Sequence, residues 1–242
     1  MRTSGPARVG IVGPSDHPVF SVVGEGLEAR GYAVSFFDAN TPIDRAAFER
    51  VSLLASKQTR PASVPSLFAA ARMGVPTWNS ATGVLACVSR FSRLCLLAGA
   101  GFDVPEASRT RPAGEYVAKG LYHWQSTLAL NGEGDVYEEL LDTDPVDYKN
   151  YVVDDGASYR PVVLRATSKL TGEKRFLGEA KPDPELVNRV IGLMDRLGMC
   201  AIGVDVVRVE GSWYAVDLNP CPGFTETGLE GALIDSMPSH LP

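Results

Sequence analysis

The sequence predicts an α/β protein built as α+β lobes, with an open α/β lobe first and an antiparallel sheet lobe with helices last. Three observations carry that reading. The chain opens strand, loop, helix, strand over "RVGIVG", "SVVGEGLEARG" and "AVSFFD". Its clearest helix, "PDPELVNRVIGLMDRLGM", comes late, and the hairpin "GVDVVRVEGSWYAVDLN" follows it. A β-loop-α-β start is typical of open sheets, whose natural ligand edge is the loop after the first strand.

The elements follow in order. After the first two strands, "RVSLLAS" reads as a third strand, "SVPSLFAAARMG" as a helix and "VPTWN" as a fourth strand, completing a first lobe over residues 1–80. Its glycines do not form G-x-G-x-x-G, so no dinucleotide fingerprint is present. "TGVLACVSRFSRLCLLAGAG" reads as a helix, with Leu85, Val88, Phe91 and Leu94 at helical spacing and glycines to end it. "FDVPEAS" is a connector. "EYVAKGLYHW" and "DVYEELL" are strands, with "NGEG" between them read as a hairpin turn, in a lobe over 81–145. "DYKNYVVDDGASYRPVVLRATS" is a hairpin turning at "DDG" and opens a third lobe, 146–242. In the late helix Asp183 is the expected cap and Pro184 suits the first turn. Leu186, Val190, Met194 and Leu197 form its buried stripe, and Gly198 ends it.

Composition narrows the classes. The 242 residues are 45% hydrophobic and 21% charged, ordinary for a soluble globular protein, and the net charge of −6 argues against a nucleic-acid partner. No apolar run approaches the ~20 residues of a membrane span, so no membrane partner is expected. The start "MRTSGPARVGIVG" lacks a secretory apolar region, and a cytoplasmic location is expected. Cys87, Cys95, Cys200 and Cys221 are scattered, which fits reduced thiols, mostly buried. His17, His123 and His240 have no metal-ligand spacing, so a zinc or histidine-metal enzyme is not expected.

The last hairpin holds the residues that point to chemistry. Asp217 and Asn219 are two apart on a strand and share a face. A three-residue turn, Glu210 to Ser212, would set Asp205 opposite Asp217. A two-residue turn would send the two acids to opposite faces. Acids facing each other among valines repel and cost several kcal/mol each when buried alone. A hard cation removes that penalty, and Asp and Asn oxygens suit Mg²⁺. The bland alternative is a solvated edge strand.

"GVDVVRVEGSWYAVDLNPCPGF" resembles the C-terminal magnesium hairpin of the ATP-grasp superfamily, and from about residue 70 to 228 the order of segments is similar to that family. The resemblance implies an ATP-grasp fold with an N-terminal open α/β lobe, a reduced small lid lobe and a C-terminal antiparallel sheet lobe. It also implies ATP and Mg²⁺ as cofactors, with Asp205, Asp217 and Asn219 as metal ligands. The middle ligand is more often glutamate in the ligase branch, so Asp217 would hold the metal closer to the strand. Arg90 stands where the family's helix usually carries a phosphate-binding lysine, although on sequence alone it is equally a surface helix charge. Lys119 in "YVAKG" matches the α-phosphate lysine. Glu138, Glu139, Leu140 and Leu141 in "VYEELL" match the hinge that reads adenine and ribose. Lys149 and Arg165 match positions that often face the phosphates or the acyl phosphate. Only "GLYHWQSTLALNGEGD" separates Lys119 from the hinge, so the family's glycine-rich lid is shortened.

The activity this implies is an ATP- and Mg²⁺-dependent carboxylate–amine ligase working through an acyl phosphate, of the ribosomal-protein glutamate ligase kind. Its partners would be small-molecule carboxylate and amine substrates, with a peptide among the candidates; dimers are common in that family, so a second copy of the chain is a candidate partner too. Specificity is expected in the first-lobe loops "GPSDHPVF", with His17, and "SKQTRPASV". An inositol-phosphate-type kinase of the same fold is the alternative, although Lys57, Arg60, Lys169, Lys174 and Arg175 are thinly spread for a polyphosphate pocket. A nucleotide-binding protein with degenerate catalysis is a third reading, motivated by the short lid. Asp217→Ala is expected to abolish Mg²⁺-dependent turnover with the fold intact.

Overall fold

The computed structural model describes residues 5–170, 172, 173 and 175–241; Lys174, weighed above among the basic residues, lies outside them. The chain begins with β1 (Arg8–Val12), α1 (Pro18–Ala29), β2 (Ala33–Phe37), the short α2 (Arg45–Phe48), β3 (Leu53–Ser56), α3 (Ser63–Met73) and β4 (Thr77–Trp78). The strands form a parallel sheet in the order β2-β1-β3-β4, as the β-loop-α-β opening predicts.

The segment expected as a helix through Leu85 to Leu94 is two helices, α4 (Ala81–Ala86) and α5 (Arg90–Gly99). The chain breaks at Cys87–Ser89, where the Val88 carbonyl accepts from the His123 N–H and the Arg90 N–H donates to the Leu121 carbonyl. The helical bonds lost there are replaced by bonds to the next lobe. The break also re-phases α5, so Arg93, Leu94 and Leu97 form its buried face.

β5 (Ala107–Ser108), β6 (Tyr116–Lys119), β7 (Leu128–Leu130) and β8 (Val136–Glu139) form a second sheet, in the order β5-β8-β6-β7. "NGEG" is therefore not a hairpin turn. β7 and β8 flank β6 on opposite sides, and the chain between them crosses over β6. Gly134 makes that possible, since a Cβ there would sit 2.9 Å from both backbone N and O of Lys119.

The third sheet runs β11-β10-β9-β12-β13, from β9 (Val146–Asp154), β10 (Tyr159–Thr167), β11 (Phe176–Ala180), β12 (Ala201–Val209) and β13 (Ser212–Asn219). α6 (Pro184–Leu197) lies between β11 and β12, capped by Asp183 and ended by Gly198 in the left-handed region. It buries Leu186, Val190, Leu193 and Met194 against Val152, Ile202 and Val204 of the sheet. α7 (Glu230–Ser236) returns to the first lobe, where Leu233 and Met237 join Phe20, Val23 and Leu27. Asn79, almost fully buried, ties the lobes together through bonds to the backbone of Cys200, Ala201 and Pro220.

Candidate active site

The hairpin β12–β13 turns at Glu210-Gly211, with φ of 48° and 88°, a two-residue turn. By simple alternation that turn would separate the acids. A β-bulge at Val216 inserts one residue into β13, so Asp205 still pairs with Asp217 and Gly203 with Asn219. The acids share a face because of the bulge rather than the turn. The Val216 carbonyl is turned toward the cations, lying 3.4 Å from Lys119 Nζ and 3.5 Å from Arg90 Nη1.

Each acid is balanced by a cation from a different element. Asp217 Oδ1 accepts from Arg93 Nη1 at 2.6 Å and Arg90 Nη1 at 3.1 Å, both from α5. Asp205 Oδ2 is paired with Lys149 of β9. Glu138 of β8, only 2% exposed, takes Lys119 of β6 at 2.5 Å and faces Arg90 Nε at 3.5 Å. Burial pushes the Asp217 carboxyl up, but Arg90, Arg93 and Lys119 outweigh it and hold it at about 2. Burial pulls the Lys149 ammonium down, yet Asp205 beside it leaves it above the ordinary lysine value.

A cleft of about 320 Å³ gathers Arg90, Lys119, Glu138, Glu139, Leu140, Leu141, Lys149, Asp205 and Asp217 from all these elements. Val117, Leu128, Val207 and Val216 give it an apolar stretch beside Leu140 and Leu141. A second cleft shares Lys149, Lys169, Asp205 and Asp217 with the first and adds Asn219, Tyr151 and Phe224. Asn219 Oδ1 accepts the Cys221 N–H at 3.0 Å, which fixes its side chain at the exit of β13.

Arg165 is not brought to this site. Leu164 and Ala166 line the second cleft, so the residue between them on β10 points to the opposite face of the sheet. It is exposed and lies 3.4 Å from the Leu177 carbonyl. Glu138 also differs from the expected ribose-binding acid, because its carboxylate is spent on Lys119 and Arg90.

The shortened segment between β6 and β7 still reaches the cleft, contributing Gln125, Ser126 and Thr127. It is pinned rather than loose. His123 N–H and the Leu121 carbonyl bond to Val88 and Arg90, Arg60 Nη1 donates to the Trp124 carbonyl at 3.0 Å, and Gln125 Nε2 donates to Asp135 at 2.8 Å.

Solved structures of similar overall fold include ATP-grasp ligases. PsnB, an ATP-grasp ligase solved with a phosphomimetic minimal precursor, Mg and ADP, is 17% identical over 98% of this chain and 99% of that one, with a TM-score of 0.69. The chain has the ATP-grasp fold. The RimK domain protein ATP-grasp of Sphaerobacter thermophilus DSM 20745 is similar at a TM-score of 0.72, 16% identity and coverage of 96% and 98%. So is the macrocyclase MdnC of Microcystis aeruginosa MRC, solved bound with its precursor peptide MdnA, at 0.69, 13%, 95% and 99%. No protein-family model and no curated protein matches in sequence. Within the ATP-grasp fold of this chain, sequence reasoning missed Arg93 and Asp147, and it named Lys169, which lines both clefts, only among the thinly spread basic residues. Arg93 left one signal, a second arginine three residues after Arg90 and so on the same helical face.

The donors present suit a hard cation. Among the described residues, no hydrogen bond engages Asp205 Oδ1 or Asp217 Oδ2, which leaves one carboxylate oxygen of each for a metal. Mg²⁺ takes few protein carboxylates and completes its shell with water and phosphate oxygens.

Proposed function

We propose that the chain is an ATP- and Mg²⁺-dependent carboxylate–amine ligase. The observation that carries this is a single cleft into which α5, β6, β8, β9, β12 and β13 bring Arg90, Lys119 and Lys149 together with Glu138, Asp205 and Asp217 as ion pairs. Asp205 and Asp217 would hold Mg²⁺ through their open oxygens, and Asn219 would border the same position from the second cleft. Bound Mg·ATP would supply the phosphoryl group that activates a carboxylate toward an amine. Lys119, Arg90 and Lys149 are placed to balance phosphate charge, which in a partly dry cleft counts for more than in water. Leu140, Leu141, Val207 and Val216 offer the base an apolar slot.

The pairing also weighs against the kinase alternative. A polyphosphate acceptor needs several uncommitted cations, whereas three of the four cations that line the first cleft, Arg90, Lys119 and Lys149, already face an acid. The second cleft, contiguous with the first, is the place for the carboxylate and the amine. A peptide acceptor is among the candidates because PsnB and MdnC were each solved with a precursor peptide.

The test is chemical. Given Mg·ATP and a candidate acid, hydroxylamine should trap an activated acyl group as a hydroxamate, with ADP formed in step. Phosphate transfer to a polyol without hydroxamate would replace the ligase with the kinase.

A further inference from the structure

Asp217 Oδ1 carries two arginines, and they differ in their freedom to leave it. Arg90 lines the first cleft, so it has room to turn from the acid toward an incoming phosphate. Arg93 lines neither the first cleft nor the second, and is almost fully buried on the face of α5 that also buries Leu94 and Leu97. Its Nη1 donates to Asp217 Oδ1 at 2.6 Å and lies 3.4 Å from the Leu218 carbonyl. An enclosed guanidinium keeps its charge, so this bond stays in place when the cleft fills.

Stability alone does not explain a charge at this position. Among the described residues Arg93 Nε and Nη2 have no hydrogen-bond partner, so two buried donors go unmet. A methionine or leucine on the same face would join the apolar core without that cost, and buried ion pairs are often replaced by apolar residues with no loss. What Arg93 adds is a fixed positive charge on one oxygen of one acid.

The acids in turn offer a metal few oxygens. Asp217 has Oδ2 open and Asp205 has Oδ1 open, while Asn219 Oδ1 already accepts the Cys221 N–H. Two carboxylate oxygens serve one Mg²⁺, whose other positions go to water and phosphate. A pair of ions about 4 Å apart instead shares a carboxylate, one oxygen to each ion. A phosphate can replace Asp205 beside Lys149, which lines both clefts, but nothing in either cleft reaches Arg93. Asp217 is therefore closed as a bridge, and bridging by Asp205 would leave a second ion only one carboxylate oxygen.

We infer that Arg93 is a built-in cation of the site, a positioning residue that closes Asp217 to bridging and sets the metal at one ion per bound nucleotide. The inference rests on the reading of Asp205 and Asp217 as metal ligands.

The probe is Mn²⁺ with ADP. Equilibrium dialysis counts the Mn²⁺ and ADP held per chain, and electron paramagnetic resonance shows whether bound ions are coupled. The wild type should hold one Mn²⁺ per ADP, with an uncoupled spectrum. Arg93→Met should take a second Mn²⁺ per ADP and show a coupled pair. Arg93→Lys, which keeps a cation beside Asp217, should stay at one. A purely structural role for Arg93 would move the melting temperature and leave both count and coupling as in the wild type. Arg93→Gln takes the place of Arg93→Met if that variant does not fold. One uncoupled ion in the folded, ADP-bound neutral variant would overturn the inference. A coupled pair in the wild type would overturn it too, while leaving the ligase reading in place. If the wild type binds ADP without any Mn²⁺, the metal assignment falls and takes this inference with it.

Discussion

Asp217 sits among apolar residues because Arg90 and Arg93 meet it there, and that pairing changes what its removal should do. Arg93 is 2% exposed, and among the described residues its Nε and Nη2 have no hydrogen-bond partner. Asp217→Ala would strand this guanidinium, so a loss of about 3–5 kcal/mol is expected, against the intact fold that sequence alone suggested. Denaturant unfolding measures it, and adding Arg93→Met should recover most of the loss. Asp205→Asn is the cleaner probe of the site, because Lys149 beside it borders open clefts. His123 gives a second expectation at this scale. Burial and then Arg93 lower its pKa from 6.5 to about 4. The unfolded chain therefore takes up the proton first on acidification. The contribution is whole above 6.5 and is lost as pH falls toward 4. His123→Gln should flatten the fall in melting temperature across that window; an unchanged slope would remove the assignment. Arg93 was hard to foresee, since the helical stripe at 85, 88, 91 and 94 assumed one continuous helix.

The elements show where sequence pattern carries and where it stops. Capping residues and period made α6 readable to within its ends, and the "DDG" turn placed β9 and β10. Turn length in the last hairpin was a sound question with an incomplete menu. The two-residue turn alone predicts opposite faces, and the Val216 bulge, with no side-chain signature, restores the shared one. "NGEG" had two meanings of similar local cost, a hairpin or a crossover over β6, and only the pairing of β6 on both sides decides. Gly134→Ala tests the crossover. Its Cβ would meet Lys119 backbone at 2.9 Å, so the loop must shift, at a cost of about 1–3 kcal/mol, and carry Lys119 with it. Weaker Mg·ADP binding is expected, with faster amide exchange confined to β6 through β8. Wild-type affinity would show that Lys119 does not depend on this approach.

Across the whole molecule the first and third sheets share one core with α1 and α7, so the first and last segments of the chain pack together. α1 approaches α7 at Gly26, where a Cβ would fall 2.3 Å from Ile234 Cδ1, and Arg30 pairs with Asp235 at 2.5 Å. Leu233 is fully buried between these helices and the first sheet, so Leu233→Ala should cost about 2–5 kcal/mol in a denaturant melt while leaving the residues of the first cleft untouched. The fold class was legible in the periods of its strands and helices, and most of the first cleft only through the resemblance of the last hairpin and the segments before it to the ATP-grasp family. The central claim is that Asp205 and Asp217 form the metal-dependent floor of a nucleotide site. Calorimetric titration of Mg·ADP into the wild type and Asp205→Asn, with and without Mg²⁺, tests it most directly. Binding that needs Mg²⁺ and weakens by about tenfold or more in the variant, at unchanged melting temperature, is the predicted result. No binding to the wild type, or equal affinity in both proteins, would contradict it.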